Sequence, residues 1–440
     1  MSLARDVAQL WRSKGFRKLA TTRLFSQAGD GMFQFGIATA FFFSPEEAAT
    51  PAQIAQGFFV LLAPFTLVGP FVGPLIDRWP RQRIIVYGNL TRLVLVAGIA
   101  TTLANHGPLW LLYALALLTL SINRFLLASM TAGLPRVVDR DELLVANSTL
   151  PTLGTVAAIL GGLIGAVVTF VVPTATDIDQ SFAALTGAVV MMGLSSLTAT
   201  RLKKKQLGPE VPLEAFSFWL QVRELGVELS EGFRYLRARV TPLHALAVMA
   251  TQRFLYGIMF VASILMSRHL WGETQTSDEA VKNFGTVLLF AGAGFGLAAL
   301  ITPWLGQRIE RHRWIVICLC IGAAGQGLLA LSSERWALLT SAVVISFAVQ
   351  GGKIAVDTIV QRDTEDSVRG RAFTLYDMGF NVAFISAAIV GALILPAHGY
   401  STWVMGILAG IYVVVALVFS RAPRVPRPLT GAATSEPATT

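Results

Sequence analysis

Long apolar runs, separated by short polar connections, dominate the chain and decide what it can fold into. About 20 apolar residues in a helix span the core of a bilayer, where a helix satisfies its own backbone hydrogen bonds. With 54% hydrophobic and only 14% charged residues, the chain is also far from the composition of soluble domains. We therefore expect an all-α polytopic membrane protein. Its twelve transmembrane helices are predicted at 19–43, 54–76, 84–104, 109–133, 147–172, 181–200, 241–266, 285–305, 314–333, 336–360, 372–395 and 402–420.

Residues 201–240 form the one long connection and divide the twelve helices into two sets of six. The connection begins with the basic residues Arg201, Lys203, Lys204 and Lys205. It continues into a predicted amphipathic helix, a pattern typical of segments that lie on a membrane surface. The apolar residues of that helix are Phe218, Trp219, Val222, Leu225, Leu229, Phe233 and Leu236. The expected organisation is a six-helix bundle with a basic N-terminal segment at 1–200, a cytoplasmic linker at 201–240, a second bundle at 241–420 and a disordered cytoplasmic tail at 421–440.

The distribution of basic residues predicts the orientation in the membrane. Of the 35 lysine and arginine residues, 27 fall in the N-terminal segment, the linker, the tail and the connections after the second, fourth, eighth and tenth helices. Short connections rich in these residues stay in the cytoplasm. Both termini are therefore expected in the cytoplasm, in a multi-pass protein of the cell (inner or plasma) membrane. The net charge of +9 is explained by these connections, so no nucleic-acid partner is inferred.

The two halves resemble each other at these basic connections. The connection after the second helix has a counterpart at 306–313 after the eighth, and 135–142 matches 362–371 in kind. Paired six-helix repeats with a site at their interface are a transporter architecture. A channel or a receptor predicts no such duplication, so we expect two six-helix pseudo-repeats.

The connection after the second helix, GPLIDRWPRQR at 73–83, carries a motif. It resembles the loop between helices 2 and 3 of the major facilitator superfamily of transporters, and the matching residues are Gly73, Leu75, Asp77, Arg78, Arg81 and Arg83. Pro80 stands where that family usually has glycine. The resemblance implies a gating loop, in which Asp77 pairs with a basic group or a helix N-terminus when the cavity opens outward. A generic basic loop is the alternative.

Further motifs resemble the exporter branch of this superfamily, which includes enterobactin-type siderophore exporters and macrolide efflux proteins. They are Ser26-Gln27-x-Gly29-Asp30, Asn123-Arg124-Phe125, Leu134-Pro135, Glu142-Leu143, Ala146-Asn147, and Gln361 followed by Arg369-Gly370-Arg371. The resemblance covers residues 15–420 and implies transport by alternating access. Two signatures differ: Leu127-Ala128 stands where many proton antiporters have Gln-Gly, and the fifth helix lacks their Gly-Pro. The motifs alone therefore do not imply that this chain is a proton antiporter.

Two of the predicted helices carry polar stripes. Spacings of three and four place the members of a stripe on one helical face, and a charge inside a membrane requires a partner or water. In the family that the chain resembles, these two helices line the central cavity. A water-lined substrate pathway is the main interpretation, and polar packing between helices is the alternative. The first stripe is Arg23, Gln27, Asp30 and Gln34, and the second is Ser346, Gln350, Lys353 and Asp357.

Four charged residues support more specific hypotheses. Asp30, deep in the first helix, is the candidate carboxylate for proton coupling, and a structural ion pair with Arg124 is the alternative. Lys353 and Asp357 are four residues apart and are expected to neutralise each other. Arg253 has no partner in the sequence pattern and is expected to face the substrate.

The remaining charges inside the helices lead to expectations about which helices pair with each other and about the charge of the substrate. Arg92 and Asp377 lie on helices away from the family's cavity, so pairing between helices is expected for both. Arg23, near the inner boundary, can instead extend its charge to the membrane surface. The predicted helices hold five basic and three acidic residues in their interiors, namely Arg23, Arg92, Arg124, Arg253 and Lys353 against Asp30, Asp357 and Asp377. This excess favours an anionic or zwitterionic group on the substrate.

No motif for catalysis, a cofactor or a metal occurs, so an enzyme is not expected. The expected function is that of a monomeric secondary active transporter, which exports an amphipathic small molecule by proton-coupled alternating access. The expected partners are a small-molecule or lipid-like substrate, protons and membrane lipids. One alternative is a lipid or lysolipid transporter of the same fold. Another is a non-transporting membrane scaffold or sensor, although apolar residues would then be expected in place of the polar stripes.

Overall fold

The computed structural model describes most of the chain, at residues 9–43, 51–68, 72, 76, 79–139, 142–171, 177–203, 206–208, 218–238, 240–271, 277–305, 308–364 and 366–422. These residues form thirteen long helices and no strand. In chain order the helices are α1 (Lys14–Phe43), α2 (Pro51–Leu67), α3 (Arg81–Ala104), α4 (Leu109–Gly133), α5 (Leu143–Val171), α6 (Asp177–Ala199), α7 (Phe218–Ala238), α8 (Val240–His269), α9 (Ser277–Leu305), α10 (Arg311–Leu331), α11 (Arg335–Asp363), α12 (Asp366–Ile394) and α13 (Thr402–Ser420).

Twelve of these helices are the transmembrane helices, and they confirm the expected fold class. Ten of them, α3–α6 and α8–α13, are long and apolar enough to cross a membrane by length and composition alone. The polar stripe lowers the hydropathy of α1, but its 30 residues extend about 45 Å at 1.5 Å per residue. The shorter α2 contributes the apolar segment Ala52–Pro64. The remaining helix, α7, lies in the predicted linker and is amphipathic.

Helices α1–α6 pack mainly against one another, and helices α8–α13 do the same. In the first half α1 packs between α5 and α6, and α3 packs on α4 and α6. In the second half α8 packs on α11 and α12, whereas α10 packs on α11 and α13. The main contact between the halves joins α2 to α12, and α7 lies against α12 and α8.

Two glycines explain how α1 and α5 approach each other so closely. A Cβ atom on Gly31 of α1 would collide with the carbonyl oxygen of Ala158, and one on Gly161 of α5 would collide with that of Ala28. Small residues let membrane helices pack backbone to backbone, where no hydrophobic force drives them together. This contact sets the rotation of α1 and thereby the direction in which each member of its polar stripe points.

The bundle has two chemically different ends. One end, called here the basic end, holds the start of α1, α3, α8, α10 and α12 and the exposed cations Lys14, Arg201, Arg313 and Arg421 in or beside the terminal turns of the helices. The opposite end, called here the far end, holds the end of α1 and the start of α2. The alternation follows from antiparallel helices joined by short connections.

The motif at 73–83 is described only in part. Gly73, Asp77 and Arg78 lie outside the described residues, so the gating role of Asp77 stays a prediction. Pro80 is the residue before the first turn of α3, and Arg83 is exposed. Lys204, Lys205 and the predicted tail from residue 423 onward also lie outside the described residues.

Arg81 of this motif joins three segments of the first half. Its Nη1 donates hydrogen bonds to the carbonyl oxygens of Ala132 at 2.9 Å and Leu207 at 3.0 Å. Its backbone N–H donates to the carbonyl oxygen of Gly208 at 3.0 Å. The guanidinium therefore ties the start of α3 to the end of α4 and to the beginning of the linker.

Candidate functional site

A cavity of about 430 Å³ lies between the two halves. Helices α1, α2 and α4 line it from the first half, and α8, α9 and α12 line it from the second. Its wall is mainly aromatic and aliphatic, and its polar lining residues are Gln34, Asn123, Arg124 and Arg253. An apolar pocket with a few convergent polar groups is the usual form of a small-molecule site.

Phenyl rings close the cavity toward the far end. Phe58 of α2 contacts Phe260 of α8 and Phe384 of α12, with ring centroids 5.6 and 5.5 Å apart. Phe42 at the end of α1 stacks on Phe58 at 4.8 Å. Arg268 Nη1 donates a hydrogen bond to the carbonyl oxygen of Phe42 at 3.0 Å. These contacts join the two halves, and we call the rings of Phe42, Phe58, Phe260 and Phe384 the phenyl closure.

On the other side of the cavity, toward the basic end, charged side chains remain accessible. The side chains of Lys353 and Asp357 on α11 are 31% and 29% exposed, and Asp377 on α12 is exposed. A Cβ atom on Gly379 would meet nothing within 4 Å. The side of the cavity toward the basic end, called here the accessible side, thus carries exposed charges, whereas the phenyl closure borders the opposite side.

Arg253 of α8 presents its charge to the cavity from between aromatic rings. Its Cζ lies 4.1 Å from the ring centroids of both Phe380 and Phe384, and 5.7 Å from that of Tyr256. Its Nε makes no hydrogen bond, and no carboxylate among the described residues forms an ion pair with it. Stacking on aromatic faces stabilises a guanidinium while its N–H edge stays available. Arg253 thus lines the cavity, and its expected contact with a substrate stays a prediction.

A cluster of charges lies on the accessible side of the cavity and involves both halves. Arg124 of α4 lines the cavity and interacts electrostatically with Asp377 of α12. Lys353 Nζ donates to Asp357 Oδ2 at 2.8 Å, which confirms the expected neutralisation of this pair. Lys353 also lies 5.4 Å from the ring centroid of Tyr376. The cluster thus brings together charged groups from both halves.

Asp377 is the functional candidate that sequence reasoning missed. Its helix was placed away from the cavity, and only pairing between helices was expected of it. The signal was nevertheless present, because Asp377, Phe380 and Phe384 follow spacings of three and four on one face of α12. Phe384 lines the cavity and Phe380 stacks on Arg253, so this face of α12 points inward.

Asp30 does not reach the cavity. It forms a buried ion pair with Arg92 of α3. Gln27 Nε2 donates to Asp30 Oδ2 at 2.6 Å, and Arg92 Nη1 donates to Ser26 Oγ at 3.3 Å. Ser26 Oγ in turn donates to Asn89 Oδ1 at 3.1 Å. The pairing between helices expected for Arg92 is confirmed.

The predicted alternative partner of Asp30, Arg124, is wrong. The close packing of α1 on α5 and α6 turns the carboxylate toward α3 inside the first half, whereas Arg124 of α4 faces the cavity. Gln34, one turn nearer the far end, is the member of the first stripe that lines the cavity. Arg23 is 7% exposed and packs against Gly154 of α5.

The members of the second polar stripe also have different surroundings along α11. Ser346 is fully buried among helices of the second half, and Gln350 is partly buried and outside the cavity lining. Lys353 and Asp357 belong to the accessible charge cluster. A long helix meets different neighbours along its length, so one face can be cavity wall at one level and helix contact at another.

Comparison with known proteins shows the family. The chain is 31% identical to an uncharacterized MFS-type transporter of Mycobacterium tuberculosis, over 97% of this chain and 96% of the relative. It is 23% identical to BacE of Bacillus subtilis, a protein named for bacilysin export, over 79% of this chain and 82% of the relative. The model of the family described as Major Facilitator Superfamily matches residues 245–439.

Solved structures agree with the fold. The crystal structure of the nucleoside transporter NupG superposes with a TM-score of 0.67 at 15% identity, over 92% of this chain and 98% of that chain. A POT family transporter superposes with a TM-score of 0.64 at 13% identity, over 92% of this chain and 95% of that chain. Since the mycobacterial transporter aligns with almost the whole sequence, the chain belongs to the major facilitator superfamily of membrane transporters, which are not enzymes.

Proposed function

We propose that the chain is a secondary active exporter of an amphipathic, anionic small molecule and that it works by alternating access. The observation that carries the proposal is the cavity between the halves, whose largely aromatic and aliphatic lining includes Arg124 from the first half and Arg253 from the second. A site shared by two halves can bind its ligand in either of two relative orientations of those halves. The phenyl closure is the part that must open in the second orientation.

The proposed orientation is compatible with export. The cations at the basic end favour a cytoplasmic location for that end. The accessible side of the cavity then faces the cytoplasm, and the substrate enters from inside the cell. Export is the direction of net transport we propose, and it agrees with the name of the relative BacE.

The lining supports the proposed substrate class. Arg253, which forms no ion pair with any carboxylate in the described part of the chain, offers its guanidinium beside aromatic faces. This arrangement suits a carboxylate or a similar anion attached to an apolar body. The volume of about 430 Å³ lies within the range of roughly 300–1,000 Å³ that drug-sized ligands occupy. We therefore favour a small molecule over a two-chain lipid.

The proposed coupling group is Asp377 rather than Asp30. Asp30 has a buried cationic partner within its own half, which keeps it away from water. Asp377 is exposed on the accessible side and faces Arg124 of the other half, so a change in their separation would change its affinity for a proton. Proton release and substrate loading can thus be linked through Arg124.

Everted membrane vesicles test the proposal. Vesicles that contain the protein should accumulate an amphipathic carboxylate from a compound panel when respiration acidifies their lumen, and an uncoupler should abolish the accumulation. Asp377→Asn should still bind the carboxylate, but transport by this variant should no longer depend on the proton gradient. Asp30→Asn should have no such specific effect on the dependence of transport on the gradient. Accumulation of a fluorescent phospholipid but of no small carboxylate would favour the lipid transporter. Binding without any transport would favour the sensor or scaffold.

A further inference from the structure

A second cavity, unrelated to the substrate site, lies at the basic end between the start of α1 and the end of α6. Its volume is about 290 Å³. The residues that line it are Lys14, Arg17, Lys18, Thr21, Thr198 and Arg201. None of them lines the cavity between the halves. Four of the six are cationic, and none is acidic.

The arrangement is built by the packing of two helices. Lys14, Arg17, Lys18 and Thr21 recur at spacings of three, one and three, which places them on one face of α1. Ser195 Oγ donates a hydrogen bond to the carbonyl oxygen of Thr22 at 2.9 Å and fixes α6 against α1 one turn deeper. Lys18 Nζ donates to the carbonyl oxygen of Arg201 at 2.8 Å and holds the end of α6 beside the cations.

The four cations are not neutralised within the described part of the chain. None of Lys14, Arg17, Lys18 and Arg201 forms an ion pair with a described carboxylate. Other cations do have such partners: Lys353 pairs with Asp357, and Arg362 pairs with Asp363. Like charges gathered around one concavity repel each other and raise its potential for an anion.

The cavity lies at the level where the apolar part of the helices ends. The apolar run of α1 starts at Leu19, directly after Lys18, and the membrane-spanning part of α6 ends at Ala199, shortly before Arg201. Lipid headgroups occupy this level of a membrane protein, and basic concavities between helix ends suit their phosphates. We propose that this cavity binds the phosphate of an anionic lipid headgroup, or the same phosphate chemistry from a free phosphate compound.

Native mass spectrometry of the purified full chain tests this proposal. The probes are phosphatidylglycerol, phosphatidylcholine as the zwitterionic comparison, and inorganic phosphate. The site variant is Arg17→Gln with Arg201→Gln. The matched control is Arg12→Gln with Arg313→Gln, which removes the same charge from exposed positions at the basic end outside the cavity. The conservative variant Arg17→Lys with Arg201→Lys keeps the charge and checks that folding is retained.

The wild type should retain more phosphatidylglycerol than phosphatidylcholine. The site variant should retain about tenfold less phosphatidylglycerol than the wild type. The control and the conservative variant should retain it. If inorganic phosphate does not displace the lipid, a headgroup is the ligand; if it displaces the lipid and binds alone, free phosphate is. If the site variant and the control lose phosphatidylglycerol equally, the lipid binds through the general surface charge of the basic end. That result would overturn the proposal. No loss in either variant would overturn it as well.

Discussion

Asp30 of α1 and Arg92 of α3 form an ion pair from which water is excluded, with side chains 2% and 0% exposed. Gln27, Ser26 and Asn89 complete a polar network around them inside the first half. A buried pair of this kind holds two helices in one register and is costly to break on one side only. We therefore expect the pair to fix the position of α1 relative to α3.

Removing one partner of this pair should destabilise the protein, because Arg92 would then be a buried charge without its carboxylate. Asp30→Asn should cost about 3–5 kcal/mol, and the double change Asp30→Asn with Arg92→Gln should recover much of that loss. Thermal unfolding of the purified protein measures both. The matched control is Asp357→Asn, whose pair with Lys353 is about one-third exposed and should matter less. Equal losses in Asp30→Asn and Asp357→Asn would contradict the structural role.

The sequence was sufficient to predict the helices and the pair within one helix. Long apolar runs determine membrane helices directly, and Lys353 and Asp357 are neighbours on any helix. The partner of Asp30 required more information. Helical periodicity assigns a residue to a face, but the rotation of that face depends on which helix packs against it. For α1 the contact at Gly31 and Gly161 decides this rotation, and its close approach is a tertiary feature.

The contact between α1 and α5 should not tolerate a methyl group. Gly161→Ala places a Cβ atom against the carbonyl oxygen of Ala28 and should destabilise the protein by about 1–3 kcal/mol through overpacking. Gly296→Ala on α9 is the control, since its Cβ would meet nothing within 4 Å. Melting temperatures of the two variants give the comparison. The interpretation fails if both variants melt at the wild-type temperature.

Arg81 should stabilise the basic end of the first half independently of any gating. Arg81→Gln removes charged donors from the carbonyl oxygens of Ala132 and Leu207 and should cost about 1.5–3 kcal/mol. Arg83→Gln, at an exposed position of the same motif, should change stability by no more than about 0.5 kcal/mol. Limited proteolysis near residues 206–208 provides a local readout, with faster cleavage expected only for Arg81→Gln. Equal cleavage of both variants would argue against this role.

The phenyl closure should hold the far end shut. Phe58→Ala removes ring contacts to Phe260 and Phe384 across the halves, and each such contact contributes about 0.5–1.5 kcal/mol. The population open at the far end should therefore increase. Phe41→Ala is the control, because its ring contacts Tyr113 at 4.7 Å within the first half.

Pulsed electron paramagnetic resonance measures this opening. Cys318 and Cys320 are replaced by serine, and spin labels are placed at the exposed positions Trp110 and Trp336, one in each half at the far end. Phe58→Ala should add a longer distance between the labels, whereas Phe41→Ala should leave the distribution unchanged. If other contacts hold the far end shut, the distribution of distances between the labels should be unchanged in both variants.

Binding of matched compounds tests whether Arg253 recognises an anionic substrate. The measurement is the dissociation constant of an amphipathic aryl carboxylate and of its uncharged carboxamide, on wild type, Arg253→Gln and the control Arg335→Gln, an exposed arginine at the far end. Wild type and the control should bind the carboxylate more tightly than the amide, and Arg253→Gln should lose about tenfold in affinity for the carboxylate alone. Equal binding of acid and amide by wild type, or an unchanged preference in Arg253→Gln, would contradict it.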